Sequence, residues 1–247
     1  VAEPRPVRGL VGAYNFRDLG GLHCADGRRV RHGLLHRSDT LQALTPDDVR
    51  YLVDEVGIEL VVDLRRGGEA VAQGRGLLAE TTVTYLNVPL AEAPEASQHP
   101  PREQTLIFYL DHLRSPTSAL PMLVQMLAAV AGRPVLVHCA AGKDRTGLVV
   151  ALLLSLLGVD RGEIVADYLA TDANMPRIVE RMRGWPHYAA HMAAVPPELY
   201  ETHEHSITGF LDALERDHGG AEGWAAERGI PAEAIARLRE RCTEPAG

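Results

Sequence analysis

With 247 residues, 46% of them apolar and 23% charged, the chain has the make-up of a folded globular protein that one core can serve, which excludes disordered and fibrous classes. A net charge of −8 excludes the broad basic footprint that nucleic acids and anionic membranes reward, so any anion must be met by a local site. Three widely separated cysteines, Cys24, Cys139 and Cys242, exclude a disulfide framework and a Cys-x-x-Cys zinc pair, and fit a reducing cytoplasm.

The N-terminal stretch VAEPRPVRGL carries no signal-peptide core. In TPDDVRYLVDEVG (45–57) a Thr cap, a proline and two acids precede Val49, Leu52, Val53 and Val56 on one face, and Gly57 ends the predicted helix. IELVVDLRR (58–66), VTYLNVPL (83–90) and RPVLVHC (133–139) are short β-branched runs of the kind that form buried parallel strands. Between the last two, LAEAPEASQHPPREQ (90–104) reads as one long loop, a candidate binding element or lid. After Gly147, LVVALLLSLLGVD is apolar nearly all round, the mark of a buried helix, and its apolar run is too short to span a bilayer. From about Pro176 onward only amphipathic helices are expected. The alternation predicts an α/β fold over 1–247 as one domain: a central, mainly parallel sheet flanked by helices, with a helical C-terminal part at about 174–247.

The stretch VHCAAGKDRTG (137–147) joins a strand, a tight loop from Cys139 to Arg145 and the buried helix. Such a junction aims backbone N–H groups and a helix N-terminus at one point, which suits phosphate. The same field lowers a thiol pKa from about 8.5 to roughly 3.5–7.5, so Cys139 is the expected nucleophile. Arg145, six residues later, completes Cys-x5-Arg and can hold two phosphoryl oxygens at once. The backbone of Ala140, Ala141, Gly142, Lys143 and Asp144 forms the expected cradle, with Gly142 allowing the sharp turn. Thr146 is a candidate donor to the thiolate or to the departing oxygen. A nucleoside-triphosphate loop is ruled out, because Val137 stands where its first glycine belongs and Asp144 where its hydroxyl belongs. The structural alternative is a buried cysteine capping a core strand, against which Lys143, Asp144 and Arg145 count together.

HCAAGKDRTG resembles the signature loop of the cysteine-dependent protein tyrosine phosphatase superfamily, in particular the bacterial atypical tyrosine/lipid phosphatases with His-Cys-x-x-Gly-Lys-Asp-Arg-Thr-Gly. YNFRDLGG (14–21), VVDLRRGGE (61–69), VDRGEIVADYLATDA (159–173) and the C-terminal GGAEGWAAERGIPAEAIARLRER are similar to further segments of that family. The resemblance implies a phosphocysteine intermediate at Cys139, a phosphate clamp at Arg145, and no metal or cofactor. It places the general acid after the strand that ends VPLAE, at Glu92, with Asp144 as the second candidate. Asp63 and Arg65 take an orienting role, and His138 supports the loop. The family uses a lysine like Lys143 on phosphoinositides, whereas tensin-type lipid phosphatases carry a second lysine where this chain has Ala140.

The implied partner is a phosphorylated substrate, with no nucleic acid and no integral membrane contact. A phosphoprotein is the first expectation and a small phosphorylated metabolite or phosphoinositide the rival. For a phosphotyrosine cleft, Tyr14, Phe16, Tyr109 and Trp185 are rim candidates, although each is more often a core residue by type. Outside this class stand a non-catalytic phosphate-binding protein, a sulfurtransferase and an arsenate reductase; the last needs a resolving cysteine, for which Cys24 and Cys242 have no evident proximity. HYAAH (187–191) and HEHSI (203–207) fall short of zinc motifs and read as exposed helix histidines. GRG (74–76) is an incomplete dinucleotide fingerprint, and Arg177, Arg181 and Arg183 read as a solvated helix face.

Overall fold

A computed structural model describes residues 8–91 and 96–246. In chain order it contains β1 (Arg17–Asp18), β2 (Arg28–Val30), β3 (Leu35–Ser38), α1 (Pro46–Arg50), β4 (Leu60–Asp63), α2 (Gly67–Gln73) and β5 (Thr84–Asn87). There follow α3 (Pro101–Arg114), α4 (Leu120–Ala129), β6 (Val135–His138), α5 (Asp144–Leu157), α6 (Arg161–Leu169), α7 (Met175–Arg183) and α8 (Pro186–Ala194). The chain closes with α9 (Glu204–His218), α10 (Ala221–Glu227), α11 (Ala232–Cys242) and β7 (Thr243–Pro245).

The five-stranded sheet runs β1-β3-β6-β4-β5, parallel except for β1 at one edge, as the alternating sequence pattern predicts. β6 is central, and its register (Val135 opposite both Leu35 and Leu60) brings the carboxyl ends of β3, β4 and β6 level at Ser38, Asp63 and His138. Ligands of open α/β sheets bind beyond such ends. The strands are shorter than their apolar runs, because Leu64, Val88 and Leu90 continue as buried connections out of the sheet.

The predicted helix at 45–57 forms α1 and then a π turn over Tyr51–Glu55. Its cap is reciprocal: Thr45 Oγ1 accepts from Asp48 N at 3.2 Å and Asp48 Oδ2 accepts from Thr45 N at 3.0 Å. Asp48 also accepts from Val11 and Gly12, so this cap anchors the N-terminal approach to the sheet. Helix α5 is buried on nearly every side, as expected, and α3, α6, α9, α10 and α11 enclose it and one another.

Three expectations need correction. The 90–104 stretch is not one loop, since a 3-10 turn occupies Ala96–Gln98 and α3 starts at Pro101, where a proline lacks no bond at a helix's first position. A strand does exist after Pro176: β7 pairs antiparallel with β2, and Arg28 Nε donates to Thr243 Oγ1 at 2.7 Å. Three residues are too few for periodicity to reveal. Tyr109 is fully buried core, edge-on to Tyr168 and Phe210, and cannot rim a cleft. No helix among the described residues is long and apolar enough to cross a membrane.

Candidate active site

Strand β6 delivers Cys139 to the floor of a cavity of about 290 Å³ at the carboxyl edge of the sheet. The loop from Cys139 into α5 is held from outside through its carbonyl oxygens. Ala140 O accepts from Thr40 N at 3.0 Å, and Gly142 O accepts from Arg37 Nη2 at 2.7 Å and from Asn15 Nδ2 at 3.1 Å. With these carbonyls turned outward, the Gly142 amide points at Cys139 Sγ, 3.3 Å away. Gly142 has φ +68°, and a Cβ there would stand 2.4 Å from Ser38 O, so both conformation and space demand glycine. Helix α5 begins at Asp144, and its positive end faces the same floor.

Behind the loop lies a network that sequence reading recognised only as matching stretches. Arg17 binds Asn15 Oδ1 and Asp167, Arg37 binds Asp167 Oδ2 at 2.5 Å, and Thr171 Oγ1 meets both Asn15 and Arg17. Burial alone would raise the Asp167 pKa, but Arg37 and Arg17 outweigh it and hold the carboxylate below its ordinary value. The isolated signal was the N-F-R-D quartet together with an acid in the α6 stretch; only the fold joins them.

Arg145 turns its guanidinium to Glu69 on α2, with Nη1 to Oε2 at 2.7 Å and Nη2 to Oε1 at 3.3 Å. Glu69 is buried, yet Arg145 and the Arg66 amide outweigh that burial and bring its pKa down to about 2. Burial pushes the Arg145 pKa down, but the charges of Cys139 and Glu69 raise it overall. Glu69 was not singled out in the sequence, although it ends the quoted VVDLRRGGE and stands three residues after its capped partner Arg66.

The remaining candidates divide. Asp144 lines the cavity and accepts from Thr105 Oγ1 at 3.2 Å. Glu92 lies outside the described residues. Asp63 and Arg65 do not reach the cavity; they form a buried pair at 2.7 Å, and Asp63 also accepts from Tyr85 Oη. His138 sits 3.7 Å from Asp63, and burial drives its pKa to about 4, so the ring is neutral at pH 7. Its Nδ1 lies 3.1 Å from Cys139 O and braces the loop from behind.

Two expected donors point elsewhere. Thr146 Oγ1 is buried without a hydrogen-bond partner and makes no bond to Cys139. Lys143, expected at phosphate, sends Nζ to Leu199 O at 2.6 Å and Glu201 O at 2.8 Å. Helix α7 corrects a third expectation, because Arg181 is no solvated residue. It pairs with buried Asp39, donates to Gly12 O at 2.8 Å, and lies over the Tyr14 ring, as does Arg177.

The cavity walls are Phe108, Met175, Met182, Tyr188, Leu199 and Tyr200, with His187 at the margin. Tyr14, Phe16 and Trp185 do not line it; Phe16 instead stacks on His36. The true lining comes from α3, α7, α8 and the 3-10 turn Pro197–Tyr200, elements whose convergence no local pattern discloses. Among the described residues, no group of three or more His, Cys, Asp or Glu side chains is arranged to hold a metal ion.

Residues 9–244 match the model of the "Tyrosine phosphatase family". The chain is 30% identical to the "Triple specificity protein phosphatase PtpB" of Mycobacterium tuberculosis, over 94% of this chain and 98% of that protein. It is 29% identical to a "Tyrosine-protein phosphatase" of Nostoc commune, over 83% of this chain and 72% of that one. The crystal structure of Pseudomonas aeruginosa TpbA aligns with a TM-score of 0.35 at 19% identity, over 68% of this chain and 91% of that chain. The matched span includes the whole of the loop, its outer braces and the cavity walls, and the chain accordingly belongs to the tyrosine phosphatase family, as a cysteine-based phosphatase.

Proposed function

We propose that the protein hydrolyses phosphotyrosyl groups of proteins, with Cys139 as nucleophile. The observation that carries this reading is the position of Cys139 at the bottom of a cavity walled by Phe108, Tyr188, Tyr200 and two methionines. An aryl ring fits such walls while its phosphate meets the amides and Arg145 below. Lys143 is engaged by main-chain carbonyls, which weakens the case for phosphoinositides. Relatives named as a triple specificity protein phosphatase and a tyrosine-protein phosphatase support a phosphoprotein substrate.

In this reading the Cys139 thiolate attacks phosphorus, forming the S–P bond as the ester P–O bond breaks. A carboxylic acid gives its proton to the leaving oxygen; the two candidates are Glu92 and Asp144, the second of which lines the cavity beside the loop. Water then adds to phosphorus, the S–P bond breaks, and its proton goes to the same carboxylate, releasing phosphate. The loop amides and Arg145 hold the equatorial oxygens throughout. The 247 residues act as one catalytic domain, in a cytoplasm that keeps the buried thiols Cys24, Cys139 and Cys242 reduced.

The test is phosphate release in excess EDTA from phosphotyrosyl and phosphoseryl peptides, phosphoinositides, sugar phosphates and nucleotides. Phosphotyrosyl peptides should show the highest kcat/KM. A higher value for an aliphatic metabolite would overturn the substrate assignment and leave the cysteine chemistry standing.

A further inference from the structure

We propose that Lys143 is a positioning residue, which selects aryl phosphates by fixing the cavity wall from within and does not bind the phosphate. Its ammonium is buried, and it donates to Leu199 O and Glu201 O, 56 and 58 residues further along the chain. Asp144 Oδ1 stands 3.5 Å from the same Nζ, at the point where α5 begins. A buried ammonium is tolerated only with such partners, and here both hydrogen-bond acceptors belong to a wall segment. Leu199 and Tyr200, the residues carried by this bond pair, line the cavity directly above the loop. The turn Pro197–Tyr200 that contains them has no side-chain cap of its own. Lys143 therefore joins the phosphate loop to the wall that faces the substrate ring, and the backbone amide of the same residue remains part of the loop.

This inference rests on the aryl-phosphate reading, yet its structural half can be read without any substrate. Lys143→Met, Lys143→Arg and Pro197→Gly would be compared with the parent chain. Expected for Lys143→Met are faster backbone hydrogen exchange over residues 197–201, a rise of about tenfold in KM for a phosphotyrosyl peptide, and vanadate inhibition altered less than about twofold. Lys143→Arg, which keeps a buried donor, should recover part of the KM. Pro197→Gly loosens the same segment from its other end and should raise KM alone, with little added when Lys143→Met is combined with it.

If Lys143→Met weakens vanadate and peptide equally and leaves exchange at 197–201 unchanged, the side chain is a phosphate ligand and the proposal is overturned. If Lys143→Met does not fold, Pro197→Gly decides: unchanged KM with accelerated exchange also overturns it. Should the parent chain fail to turn over phosphotyrosyl peptides, the aryl-phosphate reading falls, while the exchange and vanadate results still decide whether Lys143 holds the wall.

Discussion

Replacing Glu69 by glutamine keeps the side chain's shape and removes the carboxylate charge that faces Arg145. The wild-type pair has two hydrogen bonds, at 2.7 and 3.3 Å, and Glu69 also accepts from the Arg66 amide at 2.9 Å. Removing one partner of a buried ion pair costs about 3–5 kcal/mol. Glutamine retains one neutral acceptor, and Arg145 keeps 17% exposure to the cavity, which reduces the expected loss to about 2 kcal/mol. For a chain of this length that corresponds to a fall of about 4–8 °C in Tm. An oxyanion supplies the missing charge, so saturating inorganic phosphate should narrow the difference between variant and parent. In turnover, kcat should fall about tenfold or more as the guanidinium loses its fixed orientation. KM should not rise, because a negative charge near the phosphate has gone. Thermal denaturation with and without phosphate, alongside steady-state kinetics, measures all of these. Equal Tm and equal kcat for Glu69→Gln would refute the reasoning.

Gly142→Ala places a methyl group 2.4 Å from Ser38 O at a φ of +68°, and should lower stability by about 1–3 kcal/mol together with a loss of vanadate binding; unaltered vanadate affinity would show that the loop does not need this turn. His138 is buried neutral with a pKa of about 4 against an ordinary 6.5. Its contribution is fully present above pH 6.5 and is lost as pH falls towards 4, by about 3 kcal/mol at most. His138→Gln should flatten that part of the stability–pH curve, measured by denaturant titration. For the general acid, Asp144→Asn should lower kcat far more with a poor leaving group than with a good one. If Glu92→Gln shows that contrast and Asp144→Asn does not, the acid is Glu92.

The sheet was legible because β-branched runs at 58–66, 83–90 and 133–139 report burial on both faces. The loop was legible because its chemistry is contiguous: Cys139 through Arg145 needs no tertiary contact to suggest phosphate. Glu69, Asn15 and Asp167 carry no such local sign, since the contacts that tie them to the site reach partners far along the chain. The packing contacts of Lys143 and Arg181 were hidden for a related reason. A cation beside a phosphate loop or on a helix face looks solvent-directed or ligand-directed, and only packing reveals that carbonyls or a buried carboxylate claim it first. The apolar walls were hidden because Met175, Met182 and Tyr188 also satisfy ordinary helix periodicity.

The central claim is that Cys139 becomes phosphorylated during turnover. A single-turnover reaction with a phosphotyrosyl peptide in EDTA, quenched in acid within milliseconds to seconds and mapped by mass spectrometry, addresses it directly. Transient phosphate on the peptide that contains Cys139, absent from Cys139→Ser, is the expected result. Full turnover with no phosphocysteine at any time, or turnover by Cys139→Ser, would contradict the account.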